Sequence, residues 1–180
     1  MALLQQAVEE HPEDPYFKFQ LAKEYRLIGE YDKADEIFTQ CYNLLQGDEA
    51  FYPLAIVDFL YNTLASKNFE AGLKIIEQEE RYLYEYPDFY LACGHFYREL
   101  VYSDIEKNMN YYPLIERCFQ ACLEIGETDR YDGVRGAGST LPAYELGVIY
   151  ETTGDMVKAK EHTSLPQTVV INWLRIGLQS

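Results

Sequence analysis

The chain has 180 residues, 48% of them hydrophobic, and carries a formal net charge of −15 from 30 Asp and Glu against 15 Lys and Arg. That length supports one sizeable core and not two large domains. The acidic balance argues against nucleic acid and anionic membranes as partners, because phosphate contacts need clustered Lys and Arg to displace counterions.

Residues 1–10, MALLQQAVEE, lack the basic start and apolar core of a signal peptide. Nowhere does an apolar run approach the ~18 residues that span a bilayer, so no membrane insertion is expected. Residues 1–12 read as a single helix, with Leu4 and Ala7 on one face and Pro12 at its end. Residues 14–47 hold KFQLAKEY, a turn at Gly29, and YDKADEIF. Leu21, Ala22 and Tyr25 share a helix face there, and the small residue admits a second helix carrying Ala34 and Phe38. The segment 50–86 repeats this plan weakly through Phe59 and Leu60, and its turn NFEAG matches EYDKA of the first copy, with Gly72 at the place of Ala34.

Residues 87–126 repeat it again, with Cys93, Gly94 and Tyr97 in YLACGHFY. The last copy, 140–163, has Leu146, Gly147, Tyr150 and Ala159 around a turn at Gly154. From Phe59 to Cys93 is 34 residues, but Cys93 to Leu146 is 53, so the third copy contains insertions near 101–113 and 126–142. Tyrosine is abundant, 17 residues against 9 Phe, which suits shallow interfaces whose hydroxyls reach water or a backbone carbonyl.

This spacing resembles the tetratricopeptide repeat (TPR) family, over roughly residues 1–163. The first, third and fourth copies carry Leu-Gly-x-x-Tyr or close variants, and the first completes Ala-x-x-x-Phe. The Trp position of the family holds Lys18, Ile56, Tyr90 and Ala143 instead. The resemblance implies an all-α fold of TPR-like antiparallel hairpins stacked in a right-handed superhelix. Residues 1–12 are then a second helix without its first: either the chain is a fragment of a longer protein, the reading favoured, or it opens on a capping helix. The runs YPDFYLACGHFYRELVYSDIEK and YPLIERCFQACLEIGETDRYDGVRGAGSTLPAYELGVIYETTGD look like the TPR region C-terminal to bacterial family 2 glycosyltransferase domains. That family implies a nucleotide-sugar-binding domain with a metal-binding carboxylate motif. DRYD at 129–132 is not such a motif, and no catalytic residue is carried over.

The expected role is therefore a non-catalytic, cytoplasmic interaction module that binds a protein or peptide through a concave groove. Helical phase assigns that groove Phe19, Lys23, Arg26, Asp58, Tyr61, His95, Arg98, Tyr144, Glu145 and Glu151. Its charge looks graded, with Lys23 and Arg26 early and Glu145 and Glu151 late, which leaves the partner's charge open. In the family, a clamp for C-terminal carboxylates uses Lys and Asn; here Lys23 stands alone, so a chaperone-adaptor role is not expected. The rival is a ligand-binding or accessory lobe of a glycosyltransferase, in which GVRGAGST (133–140) holds an anion or nucleotide-sugar through Arg135, Gly136, Gly138 and Ser139.

No cofactor or metal is expected. Cys118 and Cys122 lie one turn apart with no His or further Cys beside them, and Cys41, Cys93, Cys118 and Cys122 read as reduced core thiols. At 164–180, Pro166 should stop or kink the last helix. The apolar segment beyond it is expected to cap the stack, mediate a homodimer, or lie outside the repeat frame altogether.

Overall fold

The computed structural model describes residues 1–163. The expectations for 164–180, including the stop at Pro166 and the homodimer, lie outside the described residues. The described residues are all-helical, with no strand among them, and none of their helices is long and apolar enough to cross a membrane. The chain divides into two compact units, Met1–Tyr84 and a second beginning at Glu85.

The first unit contains α1 (Ala2–Glu10), α2 (Pro15–Leu27), α3 (Tyr31–Tyr42), α4 (Tyr52–Ala65) and α5 (Phe69–Glu79). Helix α2 begins where the Asp14 carboxylate accepts from the Tyr16 amide at 2.8 Å, with Pro15 in the first turn. Gly29, at φ +79°, turns the chain into α3. At the corresponding turn into α5 a lysine, Lys67, takes the left-handed conformation (φ 59°), and Asn68 then caps the helix by accepting from the Ala71 amide. The expected seam of Leu21, Ala22, Ala34 and Phe38 is buried. Near the end of α3 the Cys41 thiol donates to the carbonyl of Pro15 at the start of α2, 3.3 Å away, which fixes the pair as an antiparallel hairpin. Burial pushes that thiol's pKa up to about 12, so it stays a donor at neutral pH.

The second unit contains α6 (Pro87–Ser103), α7 (Ile105–Asn108), a 3₁₀ turn (Met109–Tyr111), α8 (Tyr112–Ile125), α9 (Thr140–Thr153) and α10 (Met156–Thr163). Here the Cys122 thiol donates to the Pro87 carbonyl, again at 3.3 Å, so α6 and α8 repeat the α2–α3 hairpin. The sequence separation of this contact grows from 26 to 35 residues. The added length is the insertion expected near 101–113, and it folds as ordered turns. Asp104 caps α7 by accepting from the Lys107 amide, and the buried Asn108 donates to the Leu100 carbonyl at 2.8 Å. Gly94 has the role read for it: a Cβ there would lie 2.5 Å from Cε1 of the fully buried Phe119. Gly154, left-handed at φ +83°, makes the turn into α10, and Ala159 is buried at the crossing.

Several polar contacts between helices share one plan, a carboxylate met by neutral donors. Glu79 of α5, only 3% exposed, accepts from the hydroxyls of Tyr42 and Tyr52. Asp35 of α3 accepts from Asn62 (2.5 Å) and Ser66 (2.8 Å) at α4 and from Asn68 (3.1 Å). In the second unit Glu116 of α8 accepts from Tyr150 of α9 at 2.7 Å. Asp35 and Glu116 each stand three residues before the buried phenylalanine of the second helix, Phe38 or Phe119. The hydroxyls expected to reach water or backbone carbonyls are thus directed to side-chain carboxylates.

Two outcomes follow from this packing. Gly94→Ala should destabilise the fold by about 1–3 kcal/mol in urea unfolding, because overpacking outweighs the roughly 1 kcal/mol that Ala gains in helix propensity. Phe119→Leu in the same chain should recover part of the loss. The second outcome concerns alkali. Burial, and next the hydrogen bond to Glu79, raise Tyr42 and Tyr52 well above the ordinary tyrosine range. A raised folded-state value contributes stability that is complete below the unfolded value near ~10 and lost as pH rises above it. Tyrosinate absorbance from these two residues should therefore appear only as helical ellipticity is lost. Ionisation of both in a chain that is still helical would refute the clasp.

Candidate functional site

The residues assigned to a groove are mostly joined to one another. In the first unit Arg26 of α2 pairs with Asp58 of α4 at 2.7 Å. Lys23, one turn earlier, lies over the Phe19 ring at 5.0 Å. Burial holds the Asp58 carboxyl above its usual range, although Arg26 and Lys23 both oppose the shift. Phe19 is not a groove residue: it is 1% exposed and stacked on Phe51, with ring centroids 5.4 Å apart. Helical phase placed it on the outer face, but the Phe51 ring at the start of α4 encloses it.

The second unit repeats the arrangement. Arg98 of α6 pairs with Glu145 of α9 at 2.5 Å, and His95 Nε2 lies 3.1 Å from the other oxygen of the same carboxylate. Burial alone drives the Glu145 carboxyl up. The His95 hydrogen bond and the Arg98 charge together outweigh burial and hold it below its usual range. His95 and Arg98 follow Gly94 as Lys23 and Arg26 follow Ala22, while Asp58 precedes Phe59-Leu60 as Glu145 precedes Leu146-Gly147 in the next first helix. Of the charges read as a gradient, Arg26 and Glu145 are thus each paired within their own unit. Tyr61 and Tyr144 are half-buried, and Glu151 is exposed.

A carboxylate of the chain itself meets the start of the glycine loop, away from the four residues assigned to an anion. Asp88, in the first turn of α6 and 6% exposed, accepts from the Val134 amide and the Tyr131 hydroxyl. Burial, followed by the hydrogen bond from Tyr131 to Asp88, raises the Tyr131 hydroxyl well above its ordinary range, so it remains a donor. Ser139 donates to Glu127 at 2.5 Å. Gly136 is left-handed at φ +93°, and Gly138 lies where a Cβ would fall 2.0 Å from the Gly126 carbonyl oxygen. Both glycines are buried, and of the four proposed anion ligands only Arg135 is exposed. Gly138 therefore serves the close approach of two backbone segments, and Gly136 serves a left-handed turn. Among the described residues no group of three or more His, Cys, Asp or Glu is gathered to hold a metal.

The carboxylates Glu79, Asp88, Asp35 and Glu116 were not singled out from sequence. Their signal was the joint excess of tyrosine and acid. No family model matches the chain, and no curated protein matches it significantly.

Asp88→Ala should release the loop. Tryptic cleavage after the exposed Arg130 and Arg135 should then accelerate about tenfold, the scale expected for losing a hydrogen bond to a charged group. An unchanged rate would show that the loop is held by other contacts.

Proposed function

We propose that the chain is a non-catalytic interaction module of TPR-like superhelical type, comparable to the TPR region of a bacterial family 2 glycosyltransferase and working in the cytoplasm. The observation that supports this reading is the recurrence of one ion-paired join, Arg26 to Asp58 and Arg98 to Glu145, at matching places in the two units. The charged residues best suited to chemistry connect successive first helices and fix their register, as a scaffold requires. A buried or half-buried pair of this kind serves geometry more than net stability. Recognition then falls to the aromatic side chains on the first helices, Tyr61 and Tyr144, and to the residues beside them, in contact with a protein or peptide.

Peptides enriched on the full chain from a displayed random library supply the test, with affinity measured by fluorescence anisotropy. Tyr61→Ala together with Tyr144→Ala should weaken the enriched peptides roughly tenfold and leave the melting temperature near that of the parent chain. Binding at parent affinity would remove these first-helix faces from the reading. If inorganic phosphate or a nucleotide-sugar raised the melting temperature instead, with no peptide enriched, the ligand-binding lobe would replace the interaction module.

A further inference from the structure

A second surface lies in the first unit, at the end where α2 and α4 begin, and its inner edge meets the assigned residues Phe19 and Lys23. Five rings make a continuous row there. His11 stacks on Phe17 with centroids 5.7 Å apart, Phe17 meets Tyr16 edge-on at 6.1 Å, and Tyr16 meets Phe51 edge-on at 5.4 Å. Phe51 then stacks on the buried Phe19, whose ring carries the Lys23 ammonium at 5.0 Å. The inner end of the row is therefore already closed by a cation of the chain itself. The outer end is exposed: Tyr16 is 46% accessible, His11 is exposed, and Phe17 and Phe51 are half-buried.

The charge around that outer end has one sign. Residues 1–17 contain Glu9, Glu10, Glu13 and Asp14 and no Lys or Arg. Residues 43–66, which lead into α4 and form it, contain Asp48, Glu49 and Asp58 and likewise no Lys or Arg. Lys18 does not fill the gap, because it is buried and its ammonium lies 3.5 Å from Gln40 of α3. Glu10, Glu13 and Asp48 are exposed, whereas Asp14 and Glu49 also accept from amides of their own turns.

An aromatic face attracts a cation through its quadrupole, and guanidinium stacks on it more readily than ammonium because it is planar and weakly hydrated. Carboxylates beside the ring raise the local concentration of such a group and orient it. We propose that the corner formed by His11, Tyr16, Phe17 and Phe51 docks an arginine-bearing basic segment of a partner protein. Arginine stacks on the outer rings as Lys23 does on the inner one, and Glu10 and Glu13 flank it. The corner shares no residue with the Tyr61 and Tyr144 assignment, so either can fail without the other.

The full chain, labelled at its aromatic carbons, would be titrated with the end-capped peptide Arg-Gly-Arg-Gly-Arg and followed by NMR. Citrulline replaces arginine in the control peptide, keeping the planar shape and removing the charge. Saturable shifts at the Tyr16, Phe17 and Phe51 rings are expected, with roughly fivefold weaker binding of the citrulline peptide and of the Tyr16→Ala chain. Tyr16 is exposed enough for Tyr16→Ala to keep the parent melting temperature, and Glu13→Gln supplies a variant that leaves every ring in place and should weaken binding in the same direction. Equal binding of the citrulline peptide would overturn the proposal. So would arginine-induced shifts spread over carboxylates elsewhere, undiminished affinity in Tyr16→Ala, or no shift at these rings. Library-derived peptides that still bound and still depended on Tyr61 and Tyr144 would show that only the corner had failed.

Discussion

The contact on which this fold depends is a carboxylate held between helices by donors that carry no charge. A carboxylate taken out of water is costly unless hydrogen bonds replace its hydration. Cations would supply them most strongly, but this chain has half as many basic as acidic residues. Tyrosine, asparagine and serine take over the task, at Glu79 from Tyr42 and Tyr52, and at Asp35 from Asn62 and Ser66. Each tyrosine contributes a packed ring and a directed hydroxyl to the same interface. The large acidic excess and the tyrosine-rich composition are thus two aspects of one packing solution, and two of the scarce cations, Arg26 and Arg98, go to Asp58 and Glu145.

The two units show how far this solution is reused. In each, the proline that opens a first helix, Pro15 of α2 or Pro87 of α6, accepts through its carbonyl a thiol from near the end of the facing helix. Each carries an acid three residues before the buried phenylalanine of that helix, and each joins its two first helices through an arginine. They differ in what has been added. The second unit gains α7 and its neighbouring 3₁₀ turn, together with a connection pinned to Asp88. These additions leave the shared contacts in place, as expected when each hairpin depends mainly on its immediate neighbours.

The hairpin seams were legible in the sequence because local spacing determines them. Leu21, Ala22, Ala34 and Phe38 recur at helical intervals, and the left-handed turns at Gly29 and Gly154 lie within a few residues of the helices they join. The pairing of charges was not legible, since Arg26 and Asp58 are 32 residues apart and Arg98 and Glu145 are 47 apart. Helical phase brought them to one side of their helices but did not make them partners. Phe19 was misplaced for a related reason, because its enclosure depends on Phe51, which lies beyond the next helix. Asp88 reads in sequence as an ordinary first-turn acid, and only the returning loop shows it to be an anchor. The glycines at 136 and 138 read as anion ligands, but nothing local in the sequence indicated that Val134 and Tyr131 would meet Asp88 of the chain itself.

The thiol-to-carbonyl bonds at the ends of α3 and α8 bear on the chain's chemistry as well as on its geometry. A cysteine reacts as thiolate, and burial disfavours thiolate at both Cys41 and Cys122. With all four cysteines buried, the folded chain offers oxidants and electrophiles no ready thiolate. Opening either hairpin exposes a thiol and returns its acidity towards the ordinary range in the same event. Cysteine oxidation is thereby coupled to the separation of the helices, so that it falls selectively on copies whose hairpins have opened.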